Sequence, residues 1–365
     1  MEDATGSNMY QSFQDAIKSA VDQRCSDIHV TAEAPIFARK NGKLIPLGNP
    51  VAAYQIQKFL ETILSSTQVD VLQKRRQLDF IYQLPSGCRL RGNAYYSSGN
   101  MTLCLRLVHD KIRPFETLGF PSFMSDLILN LKSGLVLISG PTGQGKSTTL
   151  ASFLQLRNQK KAEHIITIED PIEFVLKNNQ SLIHQREIGR DVARFSDGLV
   201  AALREDPNVI MIGEMRDAET MTAALTLAET GHLVFGTLHT NGAVETLFRI
   251  VDSFSAENQP QIRSQLATNL RLIVSQRLVT RSDQDERILA YEILEMNSAI
   301  ATLIRQDKIH QVSNAFRSEN TGHSVRLEQS LAALVLDKKI SKQDALENAT
   351  DPEQLESILQ YQESK

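Results

Sequence analysis

No run of apolar residues in this chain approaches the roughly 20 that a membrane-spanning helix needs. The N-terminus also lacks the charged-then-apolar pattern of a secretory signal. Cysteine is scarce: Cys25, Cys88 and Cys104 are scattered without Cys-x-x-Cys spacing. So small and odd a set argues against a disulfide framework or a zinc cage, and for a reduced, cytoplasmic compartment. Charge of one sign is missing too. With 39 Lys+Arg against 43 Asp+Glu, the formal net charge is -4. Nothing here offers the basic field that nucleic acid would call for, so no direct nucleic-acid binding is expected. Neither repeats nor low-complexity tracts occur. What is present is ordinary for a globular protein, 41% hydrophobic and 22% charged, over 365 residues that suggest two domains. Met1 to Ser7, ahead of Asn8-Met9-Tyr10, read more like an expression scar than native sequence and are set aside.

The first third reads as short elements. From Tyr10 to Arg24, Phe13, Ile17, Ala20 and Val21 recur at helical spacing. Asp27 to Val30, Ile36 to Arg39 and Lys43 to Leu47 read as strands, the last two joined by an Asn41-Gly42 hairpin turn. Gln55 to Leu64 is helical. Leu78 to Gln83, Arg89 to Tyr96 and Met101 to Leu107 follow as antiparallel strands, with turns at Pro85-Ser86-Gly87 and Ser97 to Asn100. A small α+β domain over 9–108 is expected, with a linker over 109–118.

Beyond Arg113-Pro114 the texture changes. Four apolar runs, Leu135 to Ser139, His164 to Ile168, Val209 to Ile212 and Leu233 to Leu238, alternate with helical stretches. That pattern predicts a buried, mostly parallel sheet over 119–290. Ala218 to Thr230 reads as a helix with Met221, Ala224, Leu225 and Ala228 on one face and Gly231 just past its end. From about Ala290 onward the chain reads as helices alone, giving a helical region over 291–365.

Gly140-Pro141-Thr142-Gly143-Gln144-Gly145-Lys146-Ser147 fits G-x-x-x-x-G-K-[ST], with a strand before it and a helix opening at Thr148. The glycines let successive N–H groups face phosphate oxygens, and the helix N-terminus adds partial positive charge. Lys146 would reach the β- and γ-phosphates and Ser147 would ligate Mg²⁺. ATP binding is expected, with Gly140 to Thr148 as the cradle.

A phosphate loop needs a carboxylate at the end of a nearby strand. Glu214 follows the strand Val209 to Ile212, with Gly213 where an Asp often stands, and is a candidate for Mg²⁺ and catalysis. A second acidic cluster, Glu169-Asp170-Pro171-Ile172-Glu173, leaves the strand His164 to Ile168. One of its acids could orient or deprotonate the attacking water. Spacing does not choose between Glu169 and Glu173, and Asp170 serves equally well as a helix cap. His232 and His239 flank the strand Leu233 to Leu238 without metal-type spacing. A strand-end histidine is most often structural. Here both are expected at the crevice edge, as sensors of the γ-phosphate. Arg89, Arg91 and Arg106 lie on adjacent strands. They are either a solvated basic face or charges that a neighbouring domain or subunit presents to the triphosphate.

Together these motifs resemble the secretion-type hexameric ATPases, most closely the PilT-like pilus retraction motors, from Ser26-Asp27-Ile28-His29-Val30 to Gln343-Asp344-Ala345. Glu169 to Glu173 looks like that family's Asp box, Asn208 to Asp217 its atypical Walker B, and Ala228 to His232 with His239 to Asn241 its His box. The resemblance implies a PAS-like N-terminal domain, a RecA-like P-loop motor domain and a ring of six subunits. It implies Glu214 and Glu173 as leading acids and Arg91 and Arg106 as phosphate-approaching arginines. The implied client is an inner-membrane pilus or secretion platform. Two departures stand out. Gln144 replaces a small serine, at a position expected to contribute mainly backbone. Ala301, in the segment Ala299 to Arg305, replaces an arginine of a retraction-associated AIRNLIR motif.

The function expected is a Mg²⁺-dependent motor that dismantles pili. An ATPase of a type IV secretion or conjugation system is the alternative. A non-hydrolysing regulatory subunit would require a degraded catalytic set, which this chain does not have. A small-metabolite kinase is weaker still, because no small-substrate pocket can be identified.

Overall fold

Strands with alternating burial in the first part of the chain, and continuously buried strands in the second, produce two different sheets. The computed structural model describes residues 15–23, 25–40, 43–84, 88–108, 112–284, 286–316 and 323–363. The readings at Met1 to Ser7, Phe13, Asn41-Gly42 and Pro85 to Gly87 lie outside these residues. The chain divides into two compact units, Met1–Lys111 and Ile112–Lys365.

In the first unit, helix α1 (15–22) precedes strands β1 (Asp27–Val30), β2 (Ala34–Lys40) and β3 (Lys43–Val51). Helices α2 (Ala53–Ile63) and α3 (Ser66–Arg75) and strands β4 (Gln77–Gln83), β5 (Arg89–Ser97) and β6 (Asn100–Val108) follow. The six strands form a wholly antiparallel sheet in the order β3-β2-β1-β6-β5-β4. Leu90, Ala94, Leu103 and Leu105 face one side and pack with Ile17, Ile56, Phe59 and Leu72 of the helices. The expected turn between β5 and β6 is present. Ser98 and Gly99 both take positive φ, 50° and 80°, which suits a two-residue hairpin following the right-handed strand twist. Gly92 leaves room for Phe80, paired opposite it, whose ring would lie 2.2 Å from an added Cβ.

The second unit opens with helix α4 (Phe123–Asn130), strand β7 (Gly134–Ser139) and helix α5 (Lys146–Lys160). Then come β8 (His164–Glu169), β9 (Leu182–Glu187), α6 (Phe195–Ala202), β10 (Val209–Ile212), α7 (Ala218–Glu229) and β11 (Leu233–Leu238). Helices α8 (Ala243–Asp252) and α9 (Gln259–Asn269) lead into β12 (Leu270–Thr280) and β13 (Arg287–Glu295). Helices α10 (Ser298–Arg305), α11 (Val312–Ala315), α12 (Leu327–Leu336), α13 (Lys342–Asn348) and α14 (Pro352–Glu363) close the chain.

Seven strands lie in the order β13-β12-β7-β11-β10-β8-β9, all parallel except β13. Alternate residues feed two cores. Leu135, Leu137, Ile210 and Val234 face α7, α8 and α9, while Val136, Ile138, Met211 and Phe235 face α4 and α5. Burial on both faces is why these strands read as unbroken apolar runs.

Three strands escape the four-run reading. β9 (LIHQRE) is a polar edge strand. β12 carries polar Ser275, Gln276 and Arg277 in its middle. β13 carries the expected helical region back into the sheet as far as Glu295, because Ala290, Ile293 and Leu294 are buried there. Helix α7 ends as expected, with Gly231 at φ 99°. No helix among the described residues is long and apolar enough to cross a membrane.

Candidate functional site

Parallel strands β7, β10 and β11 all end at one edge of the large sheet, and the loops leaving them meet there. From β7 the chain turns through Gly140 to Gly145 into α5. Gly145 caps that helix at φ 82°, a left-handed conformation that suits glycine. A Cβ on Gly140 would sit 2.5 Å from the Gln276 carbonyl oxygen, so only glycine lets the loop approach β12. Lys146, only 8% exposed, points back into the loop and donates to the carbonyl oxygens of Gly140 (2.7 Å) and Pro141 (3.0 Å). Ser147 and Thr148 occupy the first turn of α5, half-buried.

The next side chain along is His239, just past β11. Its Nδ1 lies 3.4 Å from Lys146 Nζ and 3.3 Å from Thr142 Oγ1, and its Nε2 lies 3.3 Å from Glu214 Oε1. An ammonium has no lone pair, so in the Lys146–His239 contact Nδ1 is the acceptor, while the Nε2 side of the ring faces Glu214. Arg216 completes the row, 2.7 Å from Glu214 Oε2. Burial pushes the Glu214 carboxyl up. Arg216, His239 and Lys146 outweigh that and hold it below the usual glutamate value. Burial likewise pushes the Lys146 ammonium down, opposed by the charges of Glu214 and Glu173.

Gly213 fits the strand ends together. A Cβ there would lie 3.3 Å from both the Glu169 Cα and the Ile168 oxygen, tight enough to wedge β8 from β10. The Gly213 carbonyl accepts from the Thr237 hydroxyl, and Met215 N donates to the Thr237 oxygen (2.9 Å), fixing the peptides on both sides of Glu214.

The two acids of the second cluster part company. Glu169 is 6% exposed, and its Oε1 accepts from Thr167 Oγ1 (2.6 Å) and Gln185 Nε2 (3.1 Å). Burial raises its carboxyl to about 7, against those two bonds and one from the Glu173 backbone N–H. Glu173 is exposed and close enough to influence Lys146. Glu169 thus anchors the loop that carries Glu173.

His232 is a correction. It precedes β11, as the sequence reads, and the whole strand, about 20 Å at 3.3 Å per residue, separates it from His239, so the two do not share one edge. Its Nδ1 lies 3.0 Å from both Thr230 Oγ1 and the Leu227 oxygen, where it closes the end of α7. The structure removes it from the crevice edge, because ligand crevices of parallel sheets lie at the carboxyl ends of strands.

Arg91 and Arg106 are directly opposed on β5 and β6, on the face away from the helices, with Arg89 on the same face. Like charges opposite one another repel. Asp27 on β1 offsets this, its Oδ1 2.8 Å from Arg106 Nε. Burial raises the Asp27 carboxyl, and the hydrogen bonds from Arg106 and Ser26 more than cancel it, leaving it low. Three residues that shape the site went unread in the sequence: Arg216, Gln185 and Gln276. Only Arg216 carried a signal, a charge two places past Glu214 on the same loop.

A family model described as Type II/IV secretion system protein matches residues 3–315. The chain is 40% identical over 332 residues to the "Type IV pilus retractation ATPase PilT" of Pseudomonas aeruginosa, covering 91% of this chain and 96% of that protein. To a "Twitching motility protein" of Neisseria gonorrhoeae it is 39% identical over 305 residues, covering 84% and 81%. Among solved structures, the pilus retraction motor PilT with bound ADP aligns with a TM-score of 0.87 at 42% identity, over 93% of this chain and 98% of that one. The Legionella pneumophila ATPase DotB aligns with a TM-score of 0.78 at 29% identity, over 91% and 94%.

Proposed function

The chain belongs to the Type II/IV secretion system protein family, and from that premise we propose that it is an ATP-hydrolysing motor that powers type IV pilus retraction. The observation that carries this reading is the unbroken row Lys146, His239, Glu214, Arg216 at the strand ends, each side chain within 3.4 Å of the next. A passive nucleotide binder needs the loop and its lysine. It does not need a charged carboxylate wired to that lysine through a histidine.

In this reading the loop N–H groups and Lys146 hold the β- and γ-phosphates, positioning the phosphoryl group and neutralising its charge. Lys146 exchanges its carbonyl contacts for phosphate oxygens. Glu173, exposed on a loop anchored by Glu169, is the acid that orients or deprotonates the attacking water. His239 touches both Lys146 and Glu214, so a change at the γ-phosphate shifts it directly. The donors also suit Mg²⁺, a hard cation that takes few protein oxygens when a nucleotide supplies others. Ser147 and the ionised Glu214 would hold it, and when bound it would neutralise phosphate charge. Arg91 and Arg106 are the charges we assign to completing hydrolysis on assembly.

The large unit reads as RecA-like over 119–290, since the phosphate-loop strand β7 sits between β12 and β11 with β10 and β8 beyond. The small antiparallel unit, 9–108, reads as PAS-like, joined through 109–118. The helices from Ser298 to Glu363 follow on β13. We assign a homohexameric ring, working in the cytoplasm against an inner-membrane platform.

A type IV secretion client is the second reading. It is favoured by the family description, which names Type II/IV secretion, and by Ala301, which lies 8% exposed on the inner face of α10 where the retraction-associated segment carries arginine.

Turnover of the wild type against Glu214→Ala tests the central assignment. The variant is expected to bind nucleotide and to lose about 10²–10³-fold in kcat, the usual worth of one group that stabilises transition-state charge. Equal rates in the two proteins would remove Glu214 from the chemistry. Negligible wild-type turnover would point to a regulatory subunit.

A further inference from the structure

Gln144 is expected from the sequence to lend mainly its backbone to the phosphate loop, yet its side chain and its carbonyl are both bonded to β12. Strand β12 pairs with β7 only as far as Ser275 opposite Ser139. Past that point β7 has become the loop, and β12 continues beside it. There Leu278 N donates to the Gln144 side-chain Oε1 at 2.6 Å, so the side chain extends the ladder where the strand has ended. In return, Gln276 Nε2 donates to the Gln144 carbonyl oxygen at 2.6 Å. Arg287 Nη1, on β13, donates to the Gly143 oxygen at 3.3 Å.

Gln276 is 1% exposed, and its Oε1 has no hydrogen-bond partner among the described residues. Burying an amide in this way is costly, so its bond to Gln144 is the contact that offsets the cost. Peptide geometry supplies the consequence. A trans peptide points its C=O and the following N–H in opposite directions. Of the peptide bonds described, only Asp170-Pro171 is cis. Holding the carbonyls of Gly143 and Gln144 against β12 and β13 therefore turns the N–H groups of Gln144 and Gly145 away from those strands. These are donors that a phosphate cradle requires.

We propose that Gln144, Gln276 and the Leu278 N–H form a clasp that holds the phosphate loop in its anion-binding shape. Gln144 is then a positioning residue for nucleotide. The inference rests on the phosphate-loop reading above and adds what keeps the loop in shape. Because the clasp consists wholly of this chain's atoms, it acts equally on every nucleotide that uses the loop. Preorganisation of this kind shows as affinity, since less ordering remains to be done on binding.

The test compares wild type with Gln144→Ser and with Gln144→Met, which keeps the length and loses the acceptor. Fluorescent ATP and ADP analogues report Kd on the full chain. Both variants are expected to weaken both nucleotides by the same factor, about three- to tenfold, the worth of a hydrogen bond. Unchanged affinities, or a loss confined to ATP, would overturn the clasp. If the wild type itself binds neither analogue, the phosphate-loop reading fails instead. Amide hydrogen exchange on the wild type without nucleotide supplies a check that needs no variant. A Leu278 N–H protected like the paired part of β12 supports the clasp, and one exchanging at the rate of an open loop overturns it.

Discussion

His232 and His239 flank the same strand, β11, and at its two ends the same side chain does different work. At the entry, His232 is tied to Thr230 and the Leu227 oxygen and finishes a helix. At the exit, His239 lies between Lys146 and Glu214. The acids divide in a related way. Glu169 is the last residue of β8, buried and bonded inside the sheet, whereas Glu214 has left β10 by two residues and is 21% exposed. Side chains held within the sheet or at its entry edge, Glu169 and His232 here, are bonded inside the structure. Those just beyond its carboxyl edge remain available to a ligand. Residue type names the candidates, and position relative to the strand end sorts them.

The largest effect expected extends this comparison to the small unit. Arg106, exposed on an outer sheet face, is assigned to phosphate charge. Arg106→Ala should lower turnover by about 10²–10³-fold in an intact ring, toward the range of an arginine finger. Unchanged turnover with the ring intact would return the arginine to a solvated surface role. Next comes the histidine pair. His239→Ala is expected to cost roughly 10–100-fold in kcat/KM, and His232→Ala less than about twofold, with a small fall in Tm from the lost helix-end bonds. Equal losses from both would abolish the distinction between the strand ends.

The smallest effect concerns Glu169, and its sign follows from linkage. Its carboxyl sits at about 7 in the folded chain against 4.5 for the free group. The folded state therefore keeps a proton that the unfolded chain releases between those values. The stability Glu169 contributes is complete below about 4.5 and is lost as pH rises through about 7. Glu169→Gln keeps the acceptor without the charge. It should raise Tm over wild type by roughly 2–5 °C at pH 8 and by little at pH 5. A pH-independent difference in Tm would mean that burial does not govern this carboxyl.

Most of the architecture was legible in the sequence because it follows from local rules. Unbroken apolar runs mark strands buried on both faces. Ser98-Gly99 supplies the left-handed turn between β5 and β6, and Gly231 ends α7. The strands that went unread are those where local pattern and burial disagree. β9 is polar because it lies at an edge, and β12 and β13 interleave polar side chains that face the phosphate loop and the C-terminal helices.

By itself the sequence marked the phosphate loop, the acidic clusters that contain Glu173 and Glu214 as candidates, and the two-part organisation. Each rests on contiguous residues whose chemistry depends on spacing along the chain. Tertiary structure alone decided that Glu169 anchors rather than faces the crevice, that His232 closes the end of α7, and that Arg216 steadies Glu214. It also decided that Gln144, a side chain expected to be idle, meets Gln276 and Leu278, more than 130 positions away in the chain. Contacts over such separations depend on which strands become neighbours. That order is set by packing the whole sheet, and no local stretch of sequence carries it.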